Sequence, residues 1–140
     1  MSVSRTLLAL ATVVVLLVPL TSCGDDDGPL LTAPNQIYTV TYSLVIHRSK
    51  STITQLTYRD QSGNVTVNNP DRRWTITVTV SGGTTIGMTA RGTVNNGSVE
   101  INLSALDSGG RSVYHGQDSR TSQGGAFPCN LEIPETTLPG

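Results

Sequence analysis

Apolar and polar residues alternate at period two in segment after segment from Gln36 onward, and that pattern constrains the fold more than any other feature of the chain. In 73–80, Trp74, Ile76, Val78 and Val80 are separated by Thr75, Thr77 and Thr79. Successive side chains of a strand point to opposite faces, so such a segment buries one face and wets the other. A slip of one residue would expose all four apolar side chains, which fixes the register. The segment 36–47 behaves alike: Tyr38, Val40, Tyr42, Leu44 and Ile46 share one face, and Thr39, Thr41 and Ser43 take the other. The second face is polar, as in a sheet covered on one side only. No segment in this region carries the 3.6-residue period of an amphipathic helix.

The remaining segments are bounded by turn residues. A strand at 52–59 ends in Asp60-Gln61-Ser62-Gly63-Asn64 and returns at 65–68, which makes a hairpin. Ser81, Gly82 and Gly83 lead into a strand at 84–90, and Asn95-Asn96-Gly97 opens the next hairpin, followed by a strand carrying Val99, Ile101 and Leu103. Beyond the turn at 107–110 come a short strand near Val113, a polar stretch at 116–125 and a last strand at 126–133. Seven to eight short antiparallel strands predict an all-β, immunoglobulin-like β-sandwich over 37–134, with a small barrel as the alternative and 135–140 as a flexible C-terminal tail. Trp74, the single tryptophan, is expected at the centre of the core.

The first 22 residues have a different character. Arg5 precedes an apolar run from Leu7 to Leu20, the pattern of a secretory signal peptide. Pro19 interrupts that run near its end, and it is shorter than the ~20 residues that a transmembrane helix needs. Residues 24–36 are acidic, then hold Gly28, Pro29 and Pro34, and read as a flexible tether. Thirteen residues extend to at most about 40–45 Å at ~3.3–3.6 Å each.

The junction of these segments, Leu20-Thr21-Ser22-Cys23, resembles the bacterial lipobox. The resemblance implies a signal peptide over 1–22, a cut between Ser22 and Cys23, and diacylglycerol on the Cys23 sulfur, with a further acyl chain on the new amino terminus. It implies attachment to a membrane of the cell envelope through lipid at Cys23: the outer membrane, on its periplasmic or surface-exposed face, in a two-membrane organism. Two or more acyl chains, at ~0.8 kcal/mol per buried methylene, hold far more durably than one. The tether over 23–36 would then start with its anchor. Asp25, Asp26 and Asp27 resemble the surface-export signal of Bacteroidota lipoproteins and read equally well as a solvated linker. Two alternatives stay open: a secretory peptide with an unrelated cysteine, and a Cys23–Cys129 disulfide, which lipidation of Cys23 excludes. Without a partner, Cys129 is a small buried hydrophobe or a free thiol.

Taken together, LTYRDQSGNVTV (56–67), RRW (72–74), MTARG (88–92) and NNGSVEINL (95–103) resemble the MmpS family of small mycobacterial membrane proteins and their distant bacterial relatives. Order and spacing agree over about 37–127. The family's Pro-Trp pair is spread here over Pro70 to Trp74, MTARG replaces an SAQ-like element, and Asp107-Ser108-Gly109 replaces a D-G hairpin. The family is also tethered by a helix rather than by lipid. The resemblance implies an extracytoplasmic immunoglobulin-like sandwich that assists a transporter.

Residues that carry chemistry are sparse. After residue 22 the chain holds eight Lys or Arg and ten Asp or Glu, three of them in the acidic triplet, a balance that suggests no nucleic-acid partner. His47 and His115 are the only histidines, there is no G-x-S-x-G elbow, and His47, His115 and Cys129 lack metal-ligand spacing. Asp60, Asp71, Glu100, Asp107, Asp118, Glu132 and Glu135 could supply paired carboxylates, although turn formation is the default for several of them. Arg72, Arg73 and Arg91 are candidates for an anion-binding cluster, and Asn64, Asn96 and Asn102 head sequons with no assigned role. With no catalytic, metal or cofactor motif, the expected function is a non-enzymatic binding or accessory module with an envelope or transporter partner; a structural or protective envelope component is the alternative. Cys23→Ser should release the protein from the membrane or leave it unprocessed, while Cys129→Ser leaves anchoring unchanged. Mass spectrometry of the mature N-terminus decides the point, since an unmodified Cys23 thiol or a cut elsewhere contradicts the lipobox reading.

Overall fold

The structure, a computed structural model, describes residues 35–47 and 50–140. The expected signal peptide over 1–22, the expected cleavage and lipidation residues Ser22 and Cys23, and nearly all of the expected tether lie outside the described residues. Six strands form one antiparallel sheet: β1 (Ile37–His47), β2 (Thr52–Asp60), β3 (Gly63–Asn68), β4 (Arg73–Ser81), β5 (Thr85–Asp107) and β6 (Ser112–Thr137). No helix occurs among the described residues. The fold is therefore all-β, as the alternation predicts, with six strands where seven to eight were expected.

The difference has one cause. Asn95-Asn96-Gly97 does not open a hairpin, because β5 continues through it as one strand, and β6 likewise runs unbroken through the polar stretch at 116–125. The two strands form one long hairpin closed by the turn at 107–111. Its first β5 half pairs with β2 and its second with β1, while β6 flanks both. In register, Asn95 faces Ala126 and Gly97 faces Ser122, so β6 spends three residues where β5 spends one. This bulge folds the hairpin over. Asn96 (φ 49°) and Gly125 (φ 78°) take the left-handed conformations that the bend requires. Backbone groups freed there are met by two serines, the only buried polar residues among those described. Ser51 Oγ accepts from Asn95 N at 2.8 Å, and Ser122 Oγ donates to Gly125 O at 2.8 Å.

Folding over brings the two halves of β6 together. Asp118 Oδ2 accepts from the backbone N–H of Glu132 at 2.9 Å, and a Cβ on Gly116 would lie 2.5 Å from Ile133 Cγ2. The sheet is curled, and its concave face is the core. The buried residues are those the alternation selects: Tyr38, Val40, Tyr42, Leu44 and Ile46 from β1, with Val99, Ile101, Leu103 and Ala105 from β5. Ile53, Leu56 and Tyr58 of β2 and Cys129, Leu131 and Ile133 of β6 join them in one cluster. Outer-face threonines pair across strands, as in Thr41–Thr77 at 3.1 Å and Thr85–Thr137 at 3.1 Å, which suits a solvated face.

Two further expectations are corrected. Residues 135–138 do not form a tail: β6 continues to Thr137, Leu138 is buried, and its N–H donates to Thr84 O at 3.0 Å. Pro134 disguised this continuation, but it stands in a bulge where Pro134 and Glu135 together oppose Gly87, so its missing N–H breaks no ladder bond. Trp74 is not at the centre of the core. It lies on β4, at the end of the strand order, is only half-buried, and packs against Tyr58 at 5.6 Å between ring centroids. Trp74→Ala should accordingly cost about 1–3 kcal/mol, below the ~3–5 kcal/mol typical of a fully buried tryptophan. Urea unfolding measures this directly, and a loss in the upper range would restore Trp74 to the centre.

Candidate functional site

The topology gives the domain two unlike ends. At the root, where the described chain enters at Asn35, lie the start of β1, the turns 60–63, 81–84 and 107–111, and the C-terminus. Gly82 N donates to Gln36 O at 2.6 Å and Gly83 N to Leu138 O at 3.0 Å, which ties the residue before β1 and the residue after β6 to the β4–β5 turn. At the far end lie the end of β1, residues 69–72 and the two bends of the long hairpin.

The root turns follow their sequence closely. Asp60 Oδ1 accepts from Ser62 N at 2.7 Å. Asp107 Oδ1 accepts from the N–H groups of Gly109 and Arg111, both at 2.9 Å, and its Oδ2 pairs with Arg111 Nε at 3.0 Å. The Arg111 N–H is the main reason that the Asp107 carboxyl is held below its ordinary pKa, with the Arg111 side chain and Gly109 N–H adding to it. Both acids are turn formers, as their positions suggest.

Two open grooves flank Arg59 near the root. The larger, about 570 Å³, is lined by Asp60, Ser62, Gly83 and Thr84 among others. The smaller, about 260 Å³, lies over Tyr58, Met88 and Ile133. Between them Arg59 Nη1 contacts both oxygens of Glu135, at 3.0 and 3.2 Å. Both side chains are exposed, so water screens the pair and its contribution is small. Every buried side-chain nitrogen or oxygen among the described residues has a hydrogen-bond partner, and none is left aimed into either groove.

The residues singled out for chemistry are not brought together. His47 stands opposite Ser98 and His115 opposite Ser104, six positions apart along β5, or about 20 Å at ~3.3 Å per residue. Both are exposed. Arg72 and Arg73 flank the start of β4 and Arg91 lies in the first half of β5 with β2 and β6 as neighbours, so no arginine cluster forms. Asp118 and Glu132 are neighbours, joined through the Glu132 N–H as described above rather than as a carboxylate pair facing a cleft. Cys129 is free and buried. Burial pushes its thiol pKa up, against the opposing influence of Arg120 and the Gly92 N–H, in keeping with a small buried core side chain. Among the described residues no three His, Cys, Asp or Glu side chains form a metal-binding group, and no helix is long and apolar enough to cross a membrane. Sequence reasoning missed the roles of Ser51, Ser122 and Asp118, because each serves a backbone group whose position only the bend defines.

No protein-family model, curated protein or solved structure matches the chain.

Tyr42 is the most perturbed titratable group near the root. Its hydroxyl donates to Arg59 O, and its ring lies 4.9 Å from that of Tyr58. Burial raises its phenol pKa well above the ordinary value, and Asp60 and Tyr58 add to the shift. A raised folded-state pKa gives stability that is complete below the unfolded value of about 10 and is lost as pH climbs through the folded value. Stability should therefore fall above about pH 10. Tyr42→Phe should cost about 1 kcal/mol at pH 7 through the lost hydrogen bond, yet lose less than the parent between neutral pH and pH ~11. Urea midpoints at the two pH values test this, and parallel losses in both chains would acquit Tyr42.

Proposed function

We propose that the chain is a lipid-anchored envelope protein whose small β domain serves as a non-enzymatic binding or accessory module. The observation that carries the reading is the Leu20-Thr21-Ser22-Cys23 segment, placed after an apolar run and ahead of an acidic tether that leads to one end of the domain. On this reading residues 1–22 are removed, Cys23 bears the lipid, and the domain is held by its root at the outer face of a membrane. The two four-stranded halves of the curled sheet, one holding β1 and β4 and the other β2 and β3, support an immunoglobulin-like sandwich of the kind the MmpS resemblance implies.

A domain held by its root offers its far end to a partner. That end carries Phe127, one of few exposed large apolar side chains, in the run 123–128 where every residue is exposed. Strand addition is an unsuitable route along the adjoining part of β6. Pro128 and Pro134 have no N–H to give, and the outward N–H of Glu132 is taken by Asp118. Recognition by side chains at the far end is the route left nearby. A photo-crosslinking residue in place of Phe127, in cells making the full-length protein, should yield one discrete adduct with an envelope protein, a transporter component if the MmpS resemblance extends to function. The same substitution at exposed Thr66 serves as control. Adducts absent at both positions would favour a structural or protective envelope component instead.

A further inference from the structure

Four large apolar side chains are exposed among the described residues, and three of them are neighbours at the root. Ile37 of β1 is 53% exposed, Leu106 of β5 37% and Val113 of β6 41%. They lie on three adjacent strands of the outer face, where Thr39 opposes Leu106, and Leu106 opposes Ser112, the residue before Val113. That outer face is elsewhere dominated by Thr, Ser and Asn, so the patch departs from its surroundings. A third recess, about 270 Å³, runs beside it between Ile37, Val113 and Arg111. Core packing does not call for any of the three, because the concave face is filled from the opposite side of the same strands. Val113 is in addition the extra residue of a bulge, inserted where the register shifts between Ala105 and Leu106.

We propose that this patch rests on the lipid surface to which Cys23 is anchored. The inference depends on the lipoprotein reading and adds to it a defined orientation. What names the occupant is the position of the chain entry. Asn35 lies twelve residues after Cys23, and the first patch residue follows it by two. A segment of that length reaches at most about 40 Å, so the patch is confined near the bilayer and meets it in an effectively intramolecular encounter. The patch chemistry fits: three aliphatic side chains suit the headgroup–acyl boundary, and Arg111, its Nε paired with Asp107 and its side chain 86% exposed, borders them and presents the rest of its guanidinium to anionic headgroups. The far end with Phe127 then points away from the membrane.

The test uses the lipidated full-length product in vesicles of phosphatidylethanolamine and phosphatidylglycerol. Val113→Cys and, at the far end, Ala126→Cys are each made in a Cys129→Ala background and spin-labelled; the lipidated Cys23 sulfur is a thioether and does not react. Collision with oxygen, which concentrates in lipid, and with a water-soluble nickel chelate reports the surroundings. The Val113 label should collide several-fold more with oxygen and several-fold less with nickel than the Ala126 label. I37D/L106D, which alters only outward side chains, should return the Val113 label to the behaviour of the Ala126 label with little change in melting temperature. Equal, water-like behaviour of both labels on a chain shown by mass spectrometry to carry lipid at Cys23 would overturn the orientation alone. Low collision with both reagents at Val113 would mean that protein, either residues upstream of Asn35 or a second copy, covers the patch, and would overturn it as well. An unmodified Cys23 would overturn the lipoprotein reading and the orientation together.

Discussion

The domain depends on one act of geometry, the folding of the β5–β6 hairpin over itself at Asn96 and Gly125. A hairpin with strands of 23 and 26 residues cannot bury its apolar face by staying straight. Bending it at the middle turns one long face into two short ones that meet, so Ile86, Met88 and Ala90 of the first half of β5 share a core with Val99, Ile101 and Leu103 of the second. The bend frees backbone groups beside Ser51 and Ser122, which are themselves buried. Leaving a buried donor or acceptor unpaired costs roughly 1–3 kcal/mol each, and Ser51 and Ser122 remove that penalty. Small side chains complete the device. A Cβ on Gly92 would collide with the backbone of Thr52 and Ile53, and one on Gly116 with Ile133.

From the bend follow the edges and the ends. Because β6 flanks both halves of β5, it forms a continuous outer edge, the kind of edge that invites association between chains. Along 128–134 that edge is disarmed by two prolines and by the Asp118 carboxylate, which the folding delivers from the other half of the same strand. At the root lie the start of β1 and the C-terminus, with the turns 60–63, 81–84 and 107–111. On the proposed reading, the anchoring segment and the partner surface fall at opposite ends of the domain.

The sequence was legible wherever a strand had one wet and one dry face. In β1 all five residues expected inside are buried, and the β2–β3 hairpin and the Asp107 turn stand where their turn chemistry puts them. It misled at the bend, because a hairpin turn and a bulge ask the same of Asn95-Asn96-Gly97, namely a residue that accepts a left-handed conformation. Only a partner strand continuing past the position distinguishes them. The 116–125 stretch hid a strand since its inward positions include Gly116, Asp118 and Ser122, which serve close approach, the Glu132 N–H and the Gly125 carbonyl rather than hydrophobic burial. Trp74 shows the converse error: regular alternation reports which face is inward, whereas depth depends on where the strand falls in the sheet order, and β4 falls at its end. Of the proposed site, Cys23 is an expectation from its local motif alone and lies outside the described residues, while the far end and the root patch arise only from the topology.

The fold-over is tested most directly by nuclear Overhauser contacts between the two halves of β6 in the isotopically labelled protein. Gly116 and Ile133 are seventeen positions apart on the same strand, and on a straight β6 they would be separated by some 55 Å at ~3.3 Å per residue. A cross-peak between the Gly116 α protons and the Ile133 γ2 methyl, together with slow exchange of the Glu132 amide that Asp118 captures, is the predicted result. Absence of that cross-peak, with a rapidly exchanging Glu132 amide, would mean that the hairpin stays open and would contradict the account at its foundation.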